Sequence, residues 1–256
     1  MIGRKDLDAS LSGKVALVTG AARGLGLYFA EAIVAAGGRV AMVARSADLL
    51  RTEAARLGPS ALAVSADISD PASVARAFAA TTEAFGGLDV LVNNATLNGV
   101  HRIEDVTDAE IQAEVGVNIL GAIYCMRAAI PLMRARGGGD IVNISSESIL
   151  RPFPLLSVYA ACKAAIENLT VGMRDEVRGD GIRVTTLRSG AVDSGGAFLS
   201  GSAPERVQQF YDAAGAGGYL HNVGQAIAPN ITAKVLVDML ATPREAHIDL
   251  ISVRSI

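Results

Sequence analysis

The sequence predicts an α/β fold, with one parallel sheet covered by helices on both faces. Short apolar runs alternate with longer alanine-rich stretches of helical character along the whole chain. Alternation of this kind builds β-α-β units, because parallel neighbours need a long crossover that lays a helix on the sheet. Glycines mark where helical stretches end, as at Gly37-Gly38 and Gly58-Pro59, where a C′ residue needs backbone freedom. No fixed-period repeat and no linker interrupts the pattern, so residues 1–256 are expected to form a single domain.

Lys14–Thr19 reads as the first strand and runs into a glycine-rich turn and the helical stretch Gly26–Ala36. Arg39–Ala44 and Ala61–Ala66 follow as strands, separated by the helix Ala47–Leu57. Pro71–Phe85 is helical, with proline at a first-turn position where its missing N–H costs nothing. Leu88–Val92, Ile141–Ser145 and Ile182–Leu187 supply further strands, and Ile248–Val253 a last one. Ala109–Arg136 reads as one long helix in which Pro131 demands a kink or break. Asp193–Asn222 fits no element. It is rich in small residues yet carries Phe198, Leu199, Phe210, Tyr211 and Tyr219, the composition of a lid over a binding site.

Composition excludes several function classes. A chain of 256 residues, half of them apolar, can build a sizeable core. A net charge of -3 offers no basic surface for nucleic acid or membrane. Cys125 and Cys162 lack metal-ligand spacing, and His101, His221 and His247 are scattered singly. The start of the chain is charged (Arg4, Lys5, Asp6, Asp8) with no apolar signal region, and no charge-free apolar stretch is long enough to span a bilayer. A cytoplasmic protein is the expectation.

The turn after the first strand, T19-G-A-A-R-G-L-G26, places glycines at 20, 24 and 26. Glycine there allows a tight turn, close backbone approach to a pyrophosphate and close helix–strand packing. The helix that follows offers unpaired N–H groups and a positive dipole end to phosphates. At the end of the second strand, Ala44 stands where a carboxylate would hold a free ribose 2′-hydroxyl, and Arg45 supplies a cation suited to a 2′-phosphate. Arg23 adds a second cation within the turn. These residues favour NADP(H), with NAD(H) the alternative. Asp67, after the third strand, could accept from an adenine amino group or cap the turn before Ser69-Asp70-Pro71.

The chemistry centres on Y159-A-A-C-K163. Four residues apart on a helix, a phenol and an ammonium share one face. A neighbouring cation favours the ionised phenol, which would make Tyr159 usable as a proton carrier near neutral pH.

Taken together, T19-G-x-x-x-G-L-G26, Asp67, N93-N-A, Asn118, I141-V-N-I-S-S146 and Y159-x-x-x-K163 resemble the short-chain dehydrogenase/reductase family, in order and over nearly the whole chain. The resemblance implies a doubly wound Rossmann fold, a three-layer α/β/α single domain. It implies a catalytic tetrad of Asn118, Ser146, Tyr159 and Lys163. Tyr159 would exchange a proton with a substrate oxygen as hydride moves to or from the nicotinamide, and Ser146 would steady that oxygen. Lys163 would lower the tyrosine pKa and hold the nicotinamide ribose. Asn118 would bend its helix and position a water that links Lys163 to solvent. The cofactor contacts so implied are Gly20, Arg23, Gly24, Leu25, Gly26, Arg45, Asp67, Ile68, Asn94, Ala95, Tyr159, Lys163, Gly190, Val192 and Ser194.

The chain departs from the family pattern in places. Thr96 stands where N-N-A-G has glycine, in a position expected to touch no catalytic group. S189-G190 replaces the usual Pro-Gly after the sixth strand. Arg151 reads as a solvated loop residue, and the lid composition points to an apolar ketone or secondary alcohol as substrate. Family members commonly assemble through the helices here near 109–136 and 157–177 and through the C-terminal strand, so a homotetramer or dimer is expected.

Overall fold

In a computed structural model of the chain, residues 10–193, 195, 198–199, 201–219 and 225–255 are described. Seven strands form one sheet in the order β3-β2-β1-β4-β5-β6-β7, every neighbouring pair parallel. They are β1 (Val15–Thr19), β2 (Arg39–Ala44), β3 (Ala61–Ser65), β4 (Val90–Asn93), β5 (Gly139–Ser146), β6 (Ile182–Ser189) and β7 (Leu250–Val253). Strand order reverses between β1 and β4, so a crevice opens beyond their carboxyl ends. This is the doubly wound Rossmann arrangement, with predicted and observed strands differing only at their ends.

The helices that cover the sheet are α1 (Gly24–Ala35), α2 (Ala47–Leu57), α3 (Pro71–Phe85), α4 (Asp108–Val115), α5 (Ala122–Ala135), α6 (Ser157–Val177), α7 (Pro204–Ala216) and α8 (Pro229–Leu240). Alternation along β1 shows how they divide. Ala16 and Val18 join a core with Phe29 and Ile33 of α1, Leu50 of α2 and Leu236 of α8. Val15 and Leu17 point the other way, toward Phe78 of α3, Met126 and Met133 of α5 and Ile166 of α6. Burying a side chain such as Phe29, which is fully enclosed, contributes ~2–3 kcal/mol. Both faces are apolar, which is why the strands read as continuous apolar runs.

Helix termini follow their local chemistry. Asp70 caps α3 by accepting from Ala72 N and Ser73 N, with Pro71 in the first turn. Thr107 and Glu110 form a reciprocal capping box at α4. Gly58 and Gly86 end α2 and α3 at φ 82°.

Two expectations need correction. The long helix 108–135 does not break at Pro131, which lies inside α5. Its irregularity comes earlier, as a π-helical turn at Gly116–Gly121 between α4 and α5. Wider turns of this kind frequently accompany functional sites, and Asn118 sits within this one. The helix is also long and apolar enough to cross a membrane by length and composition alone. Here α5 instead turns its apolar face, Cys125, Met126, Ala129 and Met133, onto the sheet. The second correction concerns Asp193–Asn222, which is not wholly irregular: Pro204 starts α7, and Phe210 and Ala214 bury its inner face.

A buried polar chain ties the sheet to α6 beneath the crevice. Asn93 Nδ2 donates to Asn143 Oδ1, and Asn143 Nδ2 donates to Thr170 Oγ1, both at 2.8 Å. Directional bonds inside an apolar core fix β4, β5 and α6 in register more sharply than packing alone.

Candidate active site

Most of the functional segments predicted from the sequence leave the carboxyl end of a strand; Asn118 comes from the π-turn, and Tyr159 and Lys163 come from α6. Gly20 follows β1, Arg45 follows β2, Asn94 follows β4, Ser146 ends β5 and Gly190 follows β6. Together they border one cleft of about 750 Å³ that runs from Arg45 to the inner side of α7.

At one end, the turn after β1 is shaped by contacts that exclude side chains. A Cβ on Gly26 would lie 2.4 Å from both Asn94 Nδ2 and the Gly20 carbonyl oxygen. Gly20 has φ 68°, and its Cβ would meet the Ala95 Cα at 2.8 Å. Thr19 completes this junction: its Oγ1 accepts from Asn94 N and Ala95 N, each at 3.0 Å. No side chain caps the N-terminus of α1, so its first N–H groups face the cleft with Arg23 and Arg45. These residues suit the diphosphate of a dinucleotide. Asp67 is drawn into the turn before α3, where its Oδ1 accepts from Ser69 N and Ser69 Oγ. Burial raises its pKa, but those bonds and nearby Arg45 outweigh burial and leave it lowered. Asp70, not Asp67, caps the helix.

Gly20, Arg23, Gly24, Leu25, Arg45, Asp67, Ile68, Asn94, Ala95, Gly190 and Val192 all line the cleft. Gly26 does not; it is buried and serves the packing of α1 against the turn. Ser194 lies outside the described residues.

At the other end Ser146, Tyr159 and Lys163 come together. Ser146 Oγ accepts from Ser148 N at 3.2 Å and shares a hydrogen bond with Tyr159. Lys163 Nζ donates to the Ile144 carbonyl at 2.9 Å and stands 5.7 Å from the Tyr159 ring centre. The expected lowering of the phenol pKa by Lys163 is not found. Burial pushes Tyr159 up to about 12, against the opposing pull of Ser146. Burial also pushes Lys163 down to about 8. Desolvation disfavours both charged forms and here exceeds the mutual effect of the pair. Tyr159 therefore rests as a protonated phenol at neutral pH.

Asn118 stands behind the cleft, in a cavity of about 10 Å³ that it shares with Lys163 and Asn93, room for one water molecule. Its carboxamide is fixed by the loop after β4: Asn118 Nδ2 donates to Leu97 O at 2.6 Å, and Leu97 N donates to Asn118 Oδ1 at 2.9 Å. Thr96 Oγ1 also donates to Asn118 Oδ1, at 2.9 Å. Thr96 thus does touch a tetrad member, which its glycine-like place in the motif concealed.

One side of the cleft at Tyr159, formed by Leu156, Phe198, Leu199 and Phe210, is apolar, while Ser146, Glu147, Ser148 and Asp193 also line this end. Val100, Leu156, Leu199 and Phe210 form one buried cluster with Tyr159, and the Phe198 ring packs edge-on at 5.6 Å. Arg151 is not merely solvated: it donates to Gly217 O and its guanidinium lies 4.1 Å over the Tyr219 ring. Phe153, Leu156 and Val207 also face this space and were missed in the sequence, since single apolar residues in the loop before α6 and on α7 carry no spacing signal.

The family model for short chain dehydrogenases matches residues 14–199. The sorbitol dehydrogenase of Cereibacter sphaeroides is 39% identical over 184 residues, 72% of each chain. A 3-alpha-(or 20-beta)-hydroxysteroid dehydrogenase of Mycobacterium bovis is 38% identical over 190 residues, 73% of this chain and 72% of that one. Among solved structures, L-sorbose reductase from Gluconobacter frateurii, complexed with NADPH and L-sorbose, superposes with a TM-score of 0.84 at 27% identity, covering 96% of this chain and 97% of that chain.

Proposed function

The chain belongs to the short-chain dehydrogenase/reductase family and is an NAD(P)-dependent oxidoreductase of alcohols and carbonyls; within that class we propose that it interconverts an apolar ketone and its secondary alcohol with NADP(H). The observation that carries the substrate reading is the apolar wall of Leu156, Phe198, Leu199 and Phe210 on the Tyr159 side of the cleft. NADP(H) is supported by Arg23 and Arg45 on the cleft and by Ala44, which offers the ribose no carboxylate.

When bound, the nicotinamide supplies or takes the hydride. The chain's own groups handle the proton. Tyr159 Oη donates to the carbonyl oxygen in reduction, and its resting protonated state suits that direction. Ser146, already accepting from Ser148 N, keeps its own hydroxyl proton for the developing oxyanion. Lys163 replaces the tyrosine proton through its ammonium, with Asn118 beside the small cavity behind it. Gly190 and Val192 border the cleft, as do Phe198, Leu199, Val207 and Phe210, which act as the substrate lid in this reading. The molecule is expected to assemble as a dimer or tetramer through α5 and α6, where Val171 is an exposed apolar residue; a monomer by light scattering would contradict this.

The test is a panel followed at the nicotinamide absorbance with NADPH and NADH: acetophenone and cyclohexanone against L-sorbose, and sorbitol in the oxidative direction. The apolar ketones with NADPH should lead in kcat/KM by about 10-fold or more, the scale of a few buried apolar contacts. A lead for the sugar or polyol would overturn the substrate reading, and a lead for NADH the cofactor reading. Tyr159→Phe should lower kcat about 10³-fold while leaving NADPH affinity unchanged.

A further inference from the structure

Among the described residues, His101 and Glu114 form a fully buried pair of titratable side chains outside the groups assigned to the reaction. Both side chains are 1% exposed, and His101 Nε2 lies 2.6 Å from Glu114 Oε1. His101 Nδ1 and Glu114 Oε2 have no hydrogen-bond partner. Such a pair is a poor source of stability, since apolar residues of similar volume often do as well or better. What a hydrogen-bonded pair adds over apolar packing is direction.

The direction it fixes is that of the loop over Asn118. Glu114 and Asn118 lie four residues apart, so they share one side of α4 and the π-turn. Both hold the same loop. Asn118 takes Thr96 and Leu97, as described above, while Glu114 takes the Gly99 N–H and His101. His101 N also donates to the Leu155 carbonyl at 3.0 Å. Leu155, with φ 65°, is the one non-glycine residue in the left-handed region among the described residues, and it lies four positions before Tyr159. Between the two anchor points Val100 packs into the cluster that contains Tyr159. From α6, Cys162 faces this region: it hydrogen-bonds with Asn118 and feels the charge of Glu114.

We propose that His101 and Glu114 are positioning residues for the reaction: they lock the 96–101 loop onto α4 so that Leu97 and Thr96 hold the Asn118 carboxamide beside Lys163. This rests on the assignment of Asn118 made above. Neither residue touches substrate or cofactor; the pair acts through Asn118.

The decisive variant is His101→Leu combined with Glu114→Leu, which replaces the pair by apolar side chains and should fold with a Tm at or above that of the wild type. Its kcat should fall about 10-fold, read on acetophenone with NADPH or on L-sorbose if the panel selects it, while NADPH affinity stays unchanged. In an Asn118→Ala background the same two substitutions should lower kcat no further, because the residue they act through is gone. Glu114→Gln, which keeps a hydrogen bond to His101, should retain most of the activity. Wild-type kcat in the double-leucine variant would overturn the proposal, and so would an undiminished loss in the Asn118→Ala background. Wild-type kcat in Asn118→Ala alone would overturn the assignment of Asn118, and this proposal with it.

Discussion

The two ends of the cleft are built in different ways. The nucleotide end is made largely of backbone: a glycine turn, an uncapped helix terminus and the threonine that ties β1 to β4. Each part comes from a strand end, so the sheet itself sets its geometry. The substrate end is made of side chains drawn from three stretches: the 153–159 region, Phe198 with Leu199, and the inner face of α7. A backbone site tolerates little change and binds one kind of ligand. A side-chain wall can be remodelled without disturbing the sheet. Damage at the first end should therefore remove function entirely, whereas damage at the second should change what is bound.

The largest effect is expected where the two ends meet, at Lys163. Lys163→Met should lower turnover about 10³-fold, because it removes the ammonium behind Tyr159. The same change should stabilise the protein without cofactor. Burial has brought the lysine down to about 8 from its ordinary 10.5, so the folded state holds the proton less tightly than the unfolded chain. Below about pH 8 both states are protonated and folding bears the whole desolvation cost, up to ~3 kcal/mol. Between about 8 and 10.5 the unfolded chain binds the extra proton, so wild-type stability rises with pH through that window. Melting curves should show the methionine variant ahead at pH 7 and its lead shrinking toward pH 10.5. A lead that does not depend on pH would mean that Lys163 is not destabilised by burial.

Gly26→Ala is the sharper test of the backbone end. The new Cβ would have to displace Asn94 Nδ2 and the Gly20 carbonyl, each 2.4 Å away. Overpacking of this kind costs ~1–3 kcal/mol or more, and here it also shifts the turn. NADPH affinity should fall about 30-fold or more, with a lowered Tm, by fluorescence titration and thermal melting. Unchanged affinity would show that the turn adapts and that the rigidity assigned to this end is wrong.

The same contrast explains what the sequence could disclose. Glycine spacing, strand–turn–helix order and the Tyr159–Lys163 interval are local, and local geometry survives in the one-dimensional pattern. The sheet, its order-reversing crevice and most of the cleft lining were legible for that reason. Three things were not. The π-turn around Asn118 has no periodicity to distinguish it from an ordinary helix; only the family resemblance points to a bend there, while Pro131 is the residue that helix geometry alone singles out. Thr96 reads as a lost glycine until its hydroxyl is seen on Asn118. The balance of charge at Tyr159 depends on how deeply both groups are buried, and burial is a property of the whole fold. Desolvation reversed the sign that the Tyr–Lys spacing alone suggests.

Phe210→Ala tests the side-chain end and should have the smallest effect of the three. Phe210 is 6% exposed and joins α7 to the cluster around Tyr159, with its ring 5.8 Å from that of Phe153. In a central core such a truncation costs ~3–5 kcal/mol. Here the loss falls on α7, which supplies no strand to the sheet, so it should loosen that helix rather than unfold the domain. The expected result is a KM for the preferred ketone raised about 10-fold, a smaller fall in kcat, and NADPH affinity within about 2-fold of wild type. Hydrogen exchange should speed up in 204–216 and stay unchanged in β1 and β4. If NADPH affinity fell with KM, the two ends of the cleft would be mechanically coupled through α7, and the division between a fixed backbone site and a replaceable side-chain wall would fail.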